Sequence, residues 1–70
     1  MKNDSRNYKE RLKDRYHRVN LLIKLDEDYI TDYQSMMTDE AIKVMREAIG
    51  QLIVEKSEIE AEAAKEGIIL

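Results

Sequence analysis

Arg11, Arg15 and Arg18 fall with Tyr8, Tyr16 and His17 on one short stretch of the chain, roughly three turns if it is helical. Guanidinium groups present forked donors that match phosphate oxygens, and tyrosine rings stack on bases. This is therefore the stretch chemically suited to a phosphate-bearing nucleotide, with Tyr8, Arg11, Arg15, Tyr16 and Arg18 as candidate ligand-binding residues. Arg15 is the pivot, because it borders an apolar stripe and would be partly buried in an oligomer. A buried guanidinium requires a carboxylate or an anionic ligand. The competing expectation is that the arginines pair with glutamates of a second helix and that Tyr16 sits at the edge of the core.

No other constellation suggests catalysis. His17 has no Cys, Ser or carboxylate at a recognised catalytic spacing, and no nucleophile and base pair is visible, so no enzyme is expected. With no Cys and one His, disulfides and Cys/His zinc sites are excluded. Asp26, Glu27, Asp28 and Asp32 offer carboxylates but lack the glycine and ligand alternation of a calcium loop, and read as a solvated helix end. No metal and no cofactor are expected. Gly50, inside a helical pattern, costs about 1 kcal/mol relative to Ala and suggests the close approach of another backbone or a ligand.

The elements that must position these groups are helices. Of 70 residues none is Pro and two are Gly, while Glu, Lys, Arg, Leu, Ile and Ala abound, all compatible with helix. Asn7 and Glu10 have capping-box spacing, which starts a first helix near Tyr8. Thr38 before Asp39 and Glu40, with Met37 and Ile42 placed as a hydrophobic staple, starts a second near Asp39. Gly67 ends it. Leu12, Tyr16, Val19, Ile23, Ile30, Tyr33 and Met37 form one stripe, widened by Leu22 and Tyr29 and interrupted by Asp26. Ile42, Met45, Ile49, Leu52, Ile53, Ile59 and Ala63 form the other, interrupted by Lys56. The polar interruptions suit a role in setting register. The expected architecture is all-α: a single domain over 1–70 with helix one at about 8–30, a loop at about 31–38, helix two at about 39–66 and an apolar tail at 67–70.

Two helices of this size bury too little to stand alone, and Leu21 and Leu25 point away from the first stripe by about 180° and 140° at 100° per residue. Val44 and Val54 lie off the second stripe, and Ile68, Ile69 and Leu70 extend past the helix end. These seven residues are the expected oligomer interface of an antiparallel hairpin that assembles into a homo-oligomeric bundle. Charge is segregated as well. Residues 1–24 carry eight Lys or Arg and three acids, residues 25–70 four and twelve. An antiparallel hairpin sets the basic start of the first helix beside Glu55, Glu58, Glu60, Glu62 and Glu66. The net charge of −3 and this internal pairing argue against nucleic-acid binding. Uninterrupted runs of aliphatic residues reach three at most, as at Leu21, Leu22 and Ile23, far short of the roughly 18 residues of a membrane span, so a cytoplasmic location without a membrane is expected.

Tyr8, Lys9, Glu10 and Arg11 opening a basic helix, Leu22, Ile23, Lys24 and Leu25 towards its end, the Thr38, Asp39, Glu40 start and the Ala64, Lys65, Glu66, Gly67, Ile68 close together resemble small, mostly uncharacterised helical accessory proteins of tailed bacteriophages. The resemblance spans residues 8 to 68 and is broken by the acidic run at 26–32 and the apolar tail. It implies an accessory phage protein, from a class that includes inhibitors of bacterial immunity. Some of these are homo-oligomers that trap nucleotide second messengers between subunits. No residue role carries over. The leading expectation is a non-enzymatic protein that sequesters a cyclic nucleotide or ADP-ribose-type signal at a subunit interface. The alternative is an inhibitor or adaptor of a host defence protein, acting through the acidic face of Glu47, Glu55, Glu58 and Glu62, which the net charge permits to mimic DNA. A structural or assembly component is the third.

Overall fold

A computed structural model describes residues 4–70, so the first residues of the expected domain lie outside the described ones. Helix α1 runs Asp4–Tyr33, a 3-10 turn follows at Gln34–Met36, and helix α2 runs Asp39–Glu66. The two helices pack side by side as an antiparallel hairpin measuring 52 × 18 × 16 Å, with no strand among the described residues.

Thr38 starts α2 as expected: in extended backbone, its hydroxyl oxygen accepts the Ala41 N–H at 3.1 Å. Asp39 and Glu40 occupy the first turn, where the helix dipole favours carboxylates. At the other end Gly67 adopts the left-handed conformation, φ 70°, which a residue with a Cβ enters at a cost. The Gly67 N–H reaches Ala64 O at 3.3 Å and the Ile68 N–H reaches Ala63 O at 2.8 Å. This paired closure typically brings the residue after the glycine back onto the helix's last turns. Ile68 accordingly packs in the core with Leu12, Val19, Ile59 and Ala63. It belongs to the hairpin itself and not to the exposed set in which the sequence placed it, whereas Ile69 is 86% exposed.

Three further expectations change. Helix α1 begins before Asn7, so the Asn7 and Glu10 box lies inside the helix and does not start it. The expected loop at 31–38 is mostly helical: α1 continues through Tyr33 and the 3-10 turn closes it, leaving only Met37 and Thr38 as the link. The apolar repeat carries through Ile30, Tyr33 and Met37, and the propensity cost of Thr31 and Asp32 is too small to interrupt it. Gly50 meets no close approach, since a Cβ built there finds nothing within 4 Å.

The inner stripes are heptads. Leu12, Tyr16, Val19, Ile23, Asp26, Ile30, Tyr33 and Met37 advance by alternating fours and threes, and Ile42, Met45, Ile49, Leu52, Lys56, Ile59 and Ala63 by alternating threes and fours. That 3.5-residue period keeps a single seam between the helices along their length. Asp26 and Lys56 occupy seam positions and are half-buried.

Candidate functional site

Beside the seam, the row one position earlier is Tyr8, Arg15, Leu22 and Tyr29 on α1 and Met36 in the 3-10 turn, each seven residues from the next. The corresponding row on α2 is Ala41, Ala48, Glu55 and Glu62. The hairpin sets these rows against each other. The Tyr8 hydroxyl donates to the Glu62 carboxylate, and the Arg15 guanidinium faces Glu55 at 3.9 Å. Tyr29 and Ala41 line one groove near the turn, and Arg15, Ala48 and Glu55 line another further along. Outside these rows on the same flank lie Arg11, Arg18 and Leu25 of α1 and Val44, Gln51 and Glu58 of α2, again at seven-residue intervals.

This flank changes character along its length. Towards the turn it is mainly apolar: Leu22, Leu25, Tyr29, Met36 and Val44 are exposed, Leu25 at 52% and Met36 at 78%, with Asp32 the charged member next along the Leu25 row. The Tyr29 and Tyr33 rings pack on each other with centroids 4.8 Å apart. Towards the open end α1 contributes Arg11, Arg15 and Arg18 and α2 contributes Glu55, Glu58 and Glu62. The opposite flank is polar. Its groove near the turn is lined by Glu27, Asp28, Thr31 and Arg46 with Gly50 and Ile53.

The candidate ligand residues are therefore divided. Tyr8, Arg11, Arg15 and Arg18 share the first flank, but Tyr16 reaches across the other side of the seam, where its hydroxyl donates to Glu60 at 2.7 Å. His17 is exposed on that side of α1. Hydrogen bonding to Glu62, with burial and the Glu62 and Glu66 charges, pushes the Tyr8 phenol up to about 12 from its ordinary 10.0. Tyr16 is raised in the same direction by its bond to Glu60. Both rings thus keep their protons and serve as donors to carboxylates. The Arg15 and Glu55 pair is about half exposed and of a class worth little in water. The groove beside Arg15 is lined by Glu55 and Glu58 together with Ala48, Leu52 and Val54. Two carboxylates beside one guanidinium oppose the entry of a phosphate.

Elsewhere, Lys24 pairs with Asp28 at 3.3 Å one turn on. Among the described residues no three His, Asp or Glu side chains converge in a way that would hold a metal ion. No helix there is long and apolar enough to cross a membrane. Leu21, Leu25, Val44 and Val54, expected at an oligomer interface, are exposed in the single chain, as are Ile69 and Leu70. Leu22 and Tyr29, expected to widen the inner face, belong instead to the exposed flank. Family models, curated proteins and solved structures give no match to the chain.

Proposed function

We propose that the chain is a non-catalytic binding protein whose hairpin associates through its apolar flank and acts as a stoichiometric partner of another protein. The observation that carries the association is the set Leu22, Leu25, Tyr29, Met36 and Val44, exposed together on one flank of a hairpin that buries few side chains. A chain of 70 residues with no Cys lacks the disulfide staples that small folds use, and association is the remaining common remedy. The resemblance to small helical phage proteins suggests the setting: occupation of a host defence protein.

Sequestration of a cyclic nucleotide or ADP-ribose-type signal stands as the second reading. In its favour, Arg11, Arg15 and Arg18 line the same flank that carries the exposed apolar row, so association would bring basic groups to a subunit interface. Against it stand the carboxylates Glu55, Glu58 and Glu62 along that same stretch. Calorimetry of the parent chain against cyclic dinucleotides and ADP-ribose derivatives separates the two. The protein-partner reading predicts no heat of binding from any of them. Micromolar binding that is lost in Arg15→Ala while assembly persists would replace it with sequestration.

A further inference from the structure

The apolar flank commits to its own occupant. The geometry points to a second copy of this chain, docked flank to flank about a two-fold axis parallel to the helices, so that both turns lie at the same end of a four-helix bundle. This rests on the proposed self-association and adds to it the stoichiometry and the orientation.

Within one chain, facing residues of the two rows have numbers that sum to 70: Tyr8 with Glu62 and Arg15 with Glu55 are bonded or paired directly. The same rule sets Leu22 level with Ala48 and Tyr29 level with Ala41. A two-fold axis along the hairpin lays α1 of one copy against α2 of the other at these same levels. Leu22, Leu25 and Tyr29 of one copy then meet the second copy's Ala48, Val44 and Ala41, apolar against apolar. Arg11, Arg15 and Arg18 meet its Glu58, Glu55 and Gln51, base against acid or amide. Along Arg11–Tyr29 the flank finds its complement, and each contact occurs twice because the interface is isologous.

The opposed orientation fails this match. With the axis across the hairpin and full overlap, α1 lies against α1 and levels sum to about 40, given 1.5 Å per residue in both helices. Arg15 would then face Leu25, Arg18 would face Leu22, and Glu55 of α2 would face the Val44 and Met45 stretch of the other copy's α2. Charged groups set against apolar ones lose hydration without gaining partners. An offset pairing of the two turns alone avoids that conflict but leaves the arginine and glutamate rows uncovered.

The chain has no cysteine, so single spin labels off the proposed interface, at Ser35→Cys by the turn and at Ala64→Cys by the open end, report the arrangement one site at a time. Both positions are exposed and tolerate a label. With helices packed about 8–10 Å apart, the same-end dimer predicts label separations under about 30 Å at both sites. Opposed heads predict about 45 Å at both, from 1.5 Å per residue. Overlap of the turns alone predicts a short distance at Ser35 and about 70 Å at Ala64. Either of the last two patterns overturns the orientation while leaving self-association standing, and a monomer in sedimentation overturns both.

Discussion

Replacing Ile68 by Ala removes most of a side chain that is 9% exposed and packed against Leu12, Val19, Ile59 and Ala63. Truncating a buried Ile to Ala costs about 2–5 kcal/mol, lost transfer energy plus the cavity left behind. A 70-residue fold at about 0.05–0.15 kcal/mol per residue holds only about 4–10 kcal/mol in total, so this one position removes a large share. At about 4–8 °C per kcal/mol for a chain of this size, the melting temperature falls by at least about 8 °C. Far-UV circular dichroism during thermal unfolding, at one fixed protein concentration because association would shift the midpoint, gives the number. Ile69→Ala is the internal control. At 86% exposure it should stay within about 0.5 kcal/mol of the parent. Equal losses at the two positions, or an unchanged midpoint for Ile68→Ala, would refute the assignment of Ile68 to the hairpin's own core.

Gly50→Ala should raise stability by about 0.5–1 kcal/mol, because Gly50 lies inside α2 with open space where a Cβ would project; a lower midpoint in urea unfolding would mean that something covers this face. Thr38→Ala should cost about 1 kcal/mol by removing the cap on Ala41 N–H, and an unchanged midpoint would show the cap to be idle. Tyr8 carries a pH signature: its phenol stands at 10.0 when free and at about 12 in the fold. The fold thus favours the protonated ring, and the resulting stability is complete below pH 10 and lost as the pH rises towards 12. Thermal midpoints of parent and Tyr8→Phe compared from pH 9 to 12 should converge over that window, and parallel curves would contradict the bond to Glu62.

The start of α2 and its end were legible because single residues dictate them: Thr38 supplies an acceptor for orphan N–H groups, and Gly67 tolerates the left-handed turn. The end of α1 was not, because Thr31 and Asp32 look like loop residues while the decisive signal is the heptad that continues through Tyr33 to Met37. Ile68 was misplaced for a related reason. An apolar residue just past a helix-ending glycine reads as a tail, although the closure at Gly67 carries it back onto the last turns of α2. The candidate site was legible as chemistry but not as geometry. Tyr8 and Tyr16 are eight residues apart, about 80° past two full turns at 100° per residue, an offset that straddles the seam, so their hydroxyls serve Glu62 and Glu60 on opposite flanks. Counting at 3.6 residues per turn merged Leu22 and Tyr29 with the inner stripe. The seven-residue spacing that joins them to Arg15 and Met36 becomes visible only once the inner seam is known to follow 3.5.

Sedimentation equilibrium of the untagged chain across the micromolar range is the direct test of self-association through the flank of Leu22, Leu25, Tyr29 and Val44. A species at least about twice the 8.3 kDa chain mass is expected, shifting to the single-chain mass when Leu22 and Leu25 are both replaced by Glu. A parent chain that sediments as a folded 8.3 kDa monomer throughout that range would contradict it.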